Sequence, residues 1–150
     1  MNGYEEFKSV IIGCDHAGYE LKNKIREHMK AKGFVVKDVN EHYENPICFV
    51  EPATKVAETV SEKSGTLGIL VCGTGVGMAI AANRYKGVFA AILYDDFTAE
   101  YSRRHNNANV LVFGSRTMKE EEVLKRIDIF LAQKYEAGKY HLRNIAIDEK

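Results

Sequence analysis

Cys72 stands directly before Gly73-Thr74-Gly75-Val76-Gly77, a loop with glycine at alternate positions. It closes the apolar run Leu67-Gly68-Ile69-Leu70-Val71, and the pattern predicts a helix from near Val76 onward. Glycine lets a backbone turn tightly and approach a ligand closely. A helix starting there aims unpaired N–H groups and a positive dipole end at the loop. That field favours a thiolate and any oxyanion beside it. A thiolate so placed is a competent general base. A packed cysteine at a strand end competes with this reading, because free cysteine is often buried. The glycine loop weighs toward function.

Other groups with chemical potential follow other apolar runs. They are Cys14-Asp15-His16, Tyr94-Asp95-Asp96 and Gly114-Ser115-Arg116. In an open α/β sheet, ligands bind outside the carboxyl ends of the strands. Acid, imidazole, thiol and guanidinium are therefore expected on one edge. Asp15 also suits a helix cap, a role compatible with ligand contact. His105, before Asn106-Asn107, reads by itself as a surface or capping histidine. Arg116, Lys139 and Arg143 each read alone as solvated charges. Together they suit a phosphate, since arginine offers paired planar donors and lysine a point charge. A nucleotide reading competes: in it the loop cradles a pyrophosphate, with Asp95 as the ribose-binding acid. Its spacing is G-x-G-x-G, not G-x-G-x-x-G, and it follows the third strand rather than the first.

These residues need a frame, and strand–helix alternation supplies it. Strands are expected at Lys8–Ile12, Phe34–Val39, Leu67–Val71, Val88–Leu93 and Val110–Phe113. Ala17, Leu21, Ile25 and Met29 make one helix stripe, stopped at Gly33. Pro52 suits the first turn of a helix carrying Ala53, Val56, Ala57 and Val60. Met78 to Ala82 is apolar nearly all round and reads as a buried helix. Thr98–Arg104 reads as a short helix, and Val123, Leu124, Ile127, Phe130 and Leu131 mark a long one. Residues 40–50 read as a loop. Residues 138–150 read as a polar tail into which a last helix fits. The fold class is therefore α/β: a three-layer α/β/α sandwich around a five-stranded parallel, Rossmann-like sheet, in a single domain over 1–150.

Composition narrows the function. Apolar residues make up 45%, enough for a core, and 21 basic residues balance 21 acidic ones. That balance argues against a nucleic-acid or acidic-membrane binder. Cys14, Cys48 and Cys72 form neither a C-x-x-C pair nor a zinc-ligand spacing, and read as reduced thiols of a cytoplasmic protein. No signal-peptide stretch or apolar run of membrane-spanning length is present.

Three blocks then resemble a known family. GCDHAGYELK (Gly13–Lys22), CGTGVGMAIAANR (Cys72–Arg84) and SRRHNNANVLVFGSR (Ser102–Arg116) are similar to signatures of type B ribose-5-phosphate isomerases. The resemblance runs from about Val10 to Arg143. The wider family includes galactose-6-phosphate isomerase subunits and enzymes acting on allose 6-phosphate. The resemblance implies a metal-free aldose–ketose isomerisation through a cis-enediol, with no cofactor. It implies Cys72 as the base between C1 and C2, His105 as an aid to furanose ring opening, and Asp15 and His16 against the sugar. It implies Thr74 and the amides of Gly73, Gly75 and Gly77 around the enediolate. It further implies Asn106 as a polar contact, and Arg116, Lys139 and Arg143 as phosphate ligands. A homodimer or dimer of dimers with shared sites is implied, the 138–150 segment packing on a partner subunit. Three positions depart from the family: Lys139 replaces an arginine, Tyr140 replaces a histidine, and the loop aromatic is either Phe49 or Tyr43 near Pro46. A six-carbon sugar phosphate, or a non-catalytic phosphosugar- or nucleotide-binding module, are the alternative functions.

Overall fold

The computed structural model describes residues 6–42 and 48–150. Tyr43 and Pro46, one candidate register of the sugar loop, lie outside the described residues. Five parallel strands form one sheet: β1 (Ser9–Cys14), β2 (Val35–Asp38), β3 (Thr66–Cys72), β4 (Ala90–Ile92) and β5 (Val110–Gly114). Their order is β2-β1-β3-β5-β4. All seven residues of the central β3 are buried, as its continuous apolar run requires.

Among the described residues, six helices accompany the sheet: α1 (Tyr19–Ala31), α2 (Val50–Glu62), α3 (Val76–Ala82), α4 (Asp96–Arg104), α5 (Glu120–Leu131) and α6 (Lys139–Asp148). Two cores show the three layers. On one face, Ile25 and Met29 of α1, Ala99 of α4, and Ile127 and Phe130 of α5 pack on Val10, Ile12, Ile69 and Leu111. On the other, Ala53, Val56 and Val60 of α2 with Met78 and Ala82 of α3 pack on Ile11, Leu70 and Val112. The expected stop after α1 is present: Gly33 has φ +94°, a left-handed conformation that glycine adopts without strain.

Several elements differ from expectation. The fourth strand is trimmed to Ala90–Ile92, because β4 is an edge with β5 on one side only. α4 starts before Thr98, since Asp95 caps it and its carboxylate accepts the Thr98 N–H at 2.7 Å. α3 is not buried all round: Met78 and Ala82 face the core, whereas Ile80 is 63% exposed. A two-turn helix on the sheet can hide only one side. The closing segment is a helix, but Asn144 is its only buried residue. Lys22 is fully buried on the same face of α1 as Ile25 and Met29. Its Nζ donates to Asp38 Oδ2 at 2.8 Å and to the Asn40 carbonyl at 3.0 Å. No helix among the described residues is long and apolar enough to cross a membrane.

Candidate active site

In this strand order the chain runs from β1 outward to β2, then returns to the other side of β1 for β3. The reversal opens a crevice between the carboxyl ends of β1 and β3. Asp15 and His16 leave β1 there, and Cys72 ends β3 beside them.

Side chains and backbone brace that edge. Asn40 clamps the Cys14 peptide from both sides, accepting its N–H on Oδ1 at 3.1 Å and donating from Nδ2 to its carbonyl. The Asp15 N–H donates to the Val71 carbonyl at 3.1 Å, and its Oδ1 accepts the Gly18 N–H at 3.0 Å. Asp15 thus shapes the turn into α1, while His16 is exposed. Ser115 N–H donates to the Cys72 carbonyl at 2.8 Å, and Arg116 N–H to that of Gly73 at 2.9 Å. Ser115 Oγ donates to the Ala17 carbonyl at 2.8 Å. The loops after β1, β3 and β5 are therefore one braced unit.

Cys72 sits inside it, 5% exposed. The Gly75 N–H donates to its Sγ at 3.1 Å, so the sulfur is an acceptor, as a base must be. Gly75 has φ +85° and caps α3, which explains a glycine there. Thr74 is exposed, and its Oγ1 accepts the Val76 N–H at 3.2 Å. The amides of Gly73, Thr74 and Gly77 have no partner among the described residues, leaving donors for an oxyanion. Arg116 folds over Gly73: a methyl group built there would lie 3.3 Å from Nη1. The Phe49 ring covers Gly77, 3.0 Å from where a Cβ would stand. Phe49 is thus the described aromatic beside the loop.

Cys14 makes a useful contrast. Burial pushes its thiol up to about 12, so it stays protonated and inert. Asp95 lies apart from this crevice, capping α4 after the edge strand β4. Those Thr98 hydrogen bonds hold it below the usual carboxylate range. The nucleotide reading loses its ribose-binding acid.

The remaining expected residues gather elsewhere. α4 runs back antiparallel to the strands for about 14 Å, so His105 at its end lies toward the amino edge of the sheet. His105 stacks on Tyr140, with ring centroids 4.1 Å apart and planes at 12°. The Tyr101 ring meets it edge-on at 4.7 Å. Asn106 is exposed and its carbonyl accepts from Asn144 Nδ2 at 2.9 Å. Lys139 and Arg143, one turn apart on α6, flank the same Tyr140 ring at 5.2 and 5.5 Å. The structure thus makes two groups: Asp15, His16, Cys72, Thr74, the glycines and Arg116 in one, His105, Asn106, Lys139 and Arg143 in the other. Arg116 does not join the other two cations within the chain. The five residues of β5 alone separate the edges by roughly 17 Å, too far for one small sugar. Sequence reasoning missed Lys22, Asn40 and Glu136, which support these groups through contacts that only the folded chain creates.

Comparison with known proteins places this geometry. Residues 10–147 match the sequence pattern of the ribose/galactose isomerase family. Ribose-5-phosphate isomerase B of Escherichia coli K12 is 38% identical over 140 residues, 93% of this chain and 94% of that protein. The galactose-6-phosphate isomerase subunit LacB of Clostridium acetobutylicum is 40% identical over 147 residues, 93% of this chain and 82% of that protein. The crystal structure of ribose-5-phosphate isomerase B from Mycoplasma genitalium with bound ribulose-5-phosphate is similar at TM-score 0.89 and 39% identity, covering 94% of each chain. That of the Thermotoga maritima ribose 5-phosphate isomerase has TM-score 0.90 at 37% identity, covering 95% of this chain and 98% of its own.

Proposed function

The chain belongs to the ribose/galactose isomerase family, and on that premise we propose that it is the aldose–ketose isomerase that interconverts ribose 5-phosphate and ribulose 5-phosphate. The observation that carries this reading is the Gly75 N–H on Cys72 Sγ, in a glycine turn with unpaired amides at the switch point. In the open-chain aldose, Cys72 takes the proton from C2. The C–H electron pair forms the C1–C2 double bond, and the carbonyl pair moves onto O1. Thr74 and the loop amides stabilise that charge. Cys72 returns its proton to C1, and the O2 hydroxyl proton passes to O1 as C2 becomes the carbonyl. His105 assists ring opening, and Asp15, His16 and Asn106 hold the hydroxyls.

The working site is shared between two copies. The separation of the Cys72 and His105 groups supports this, as do exposed Val76 and Ile80 on α3 and exposed Leu142 and Ile147 on α6. A two-fold dimer sets Cys72 of one copy against His105 of the other and carries two such sites. Arg116 from one copy and Lys139 and Arg143 from the other then grip the phosphate, and residues 138–150 pack on the partner. The reading places the enzyme in the cytosol, consistent with free Cys14, Cys48 and Cys72.

A coupled isomerase assay with EDTA present, over ribose, allose and galactose phosphates, tests the proposal. Turnover with ribose 5-phosphate preferred is expected, since Phe49 narrows the space beside Gly77. A six-carbon preference would replace the substrate. Ligand-dependent stabilisation without turnover would favour the binding module.

A further inference from the structure

A carboxylate outside the three family-like blocks lies beside His105. Glu136 Oε2 lies 3.3 Å from His105 Nε2. Glu136 is itself fixed without any help from the imidazole. Its N–H donates to the Arg104 carbonyl at 2.9 Å, and its carboxylate accepts Arg104 Nε at 2.9 Å. Arg104 is anchored in turn, with Nη1 on Glu100 Oε1 at 2.6 Å. The His105 ring therefore has a face on Tyr140, an edge on Tyr101 and Nε2 lying 3.3 Å from a pre-placed carboxylate oxygen. Nδ1 has no hydrogen-bond partner among the described residues.

We propose that Glu136 is the positioning residue of His105, holding the ring in the Nε2–H tautomer so that bare Nδ1 faces the sugar as the base for ring opening. A carboxylate can only accept from a neutral imidazole, so the nitrogen it faces carries the hydrogen. Ring opening then balances. Nδ1 takes the anomeric hydroxyl proton, and the freed pair on O1 forms the C1 carbonyl. The C1–O4 bond breaks with its electrons going to O4, which takes a proton from water. Glu136 never touches substrate. The assignment of a ring-opening step rests on the isomerase reading, whereas the tautomer does not.

Two measurements on the full-length protein test this. Nitrogen-15 NMR of the His105 ring in the wild type should show the Nε2–H tautomer dominant, and an Nδ1–H majority would overturn the proposal outright. Kinetics of Glu136→Ala, with Glu136→Gln as a milder variant, should separate the steps. Ribose 5-phosphate is mainly a closed furanose, but ribulose 5-phosphate stays open because its O5 is esterified. The kcat/KM for the full isomerisation should fall roughly tenfold, part of what a positioned proton-transfer group supplies, and equally in both directions because the overall equilibrium is fixed. Exchange of the C1 proton of ribulose 5-phosphate with deuterium oxide needs Cys72 but no ring step; it should change less than about twofold, and Glu136→Asp should recover part of the isomerisation loss. An exchange rate that falls as far as the isomerisation, or an isomerisation that does not fall, would reduce Glu136 to a structural role and overturn the proposal. A wild type inactive on both sugars, with Nε2–H on His105, would end the isomerase reading and leave the tautomer assignment standing.

Discussion

The amide of Gly75 points at the sulfur of Cys72 across 3.1 Å, and the two residues need each other's geometry. Only the left-handed backbone of Gly75, at φ +85°, turns that amide back toward the strand end. Gly75→Ala should therefore lower stability by about 1 kcal/mol, the usual left-handed penalty. A new methyl group 3.2 Å from Val112 Cγ1 adds a push that moves the amide off the sulfur. kcat/KM should fall by more than the stability loss explains. Thermal melts beside kcat/KM measurements check this.

The second thiol near the site behaves differently, and pH reveals it. Burial raises Cys14 to about 12 in the folded protein, against an ordinary value of 9.0. The folded state resists ionising it and the unfolded chain does not. Its contribution to stability is therefore complete below pH 9 and is lost as pH climbs toward 12. Urea midpoints should decline over that window, and Cys14→Ala should flatten the decline. Native alkylation at pH 8 should label exposed Cys48 and spare Cys14.

Lys22 is a lysine with no access to water, held by Asp38. Removing one partner of a buried pair strands the other. Arg26 Nη1 also reaches Asp38 at 2.8 Å and softens the loss. Lys22→Met should destabilise by about 3 kcal/mol, the low end for such pairs. The urea midpoint at constant m-value measures it. Asn40, whose carbonyl accepts from Lys22, clamps the β1 exit, so kcat/KM should fall as well.

Phe49 over Gly77 bears on which sugar fits. Phe49→Ala removes the ring and opens the wall beside the loop. The ratio of kcat/KM for six-carbon over five-carbon phosphates should rise by roughly tenfold, in the range that one extra carbon in a pocket commands. An unchanged ratio would move the determinant elsewhere.

Much of this was legible before folding. β1, β3 and β5 announce themselves as apolar runs because both their faces are covered. The Cys72 turn is legible because a glycine at φ +85° leaves a mark in the sequence. Other features leave none. Nothing in the sequence marks Lys22 as buried, since Asp38 comes alongside it only from β2. Ile80 reads as core because composition cannot say which side of a short helix meets the sheet. His105 reads as a cap, which it is, since its N–H closes α4 on the Tyr101 carbonyl at 2.9 Å. Its contacts with Tyr140 and Glu136 come from residues more than 30 positions later. The separation of Arg116 from Lys139 and Arg143 follows from strand direction and helix return.

If two copies share each site, two inactive variants should repair one another. Cys72→Ala and His105→Ala chains, each inactive alone, should regain activity when unfolded and refolded together. Half the dimers are mixed and each holds one intact site of two, so recovery should approach roughly a quarter of wild type. No recovery would confine the site to one chain.

The central claim concerns the proton that Cys72 moves, and the turnover of ribose 5-phosphate by wild type and Cys72→Ala tests it most directly. With circular dichroism and melting unchanged, the variant should lose at least about a thousandfold in kcat, as removal of the proton-transferring group entails. A folded Cys72→Ala within tenfold of wild type would contradict the mechanism.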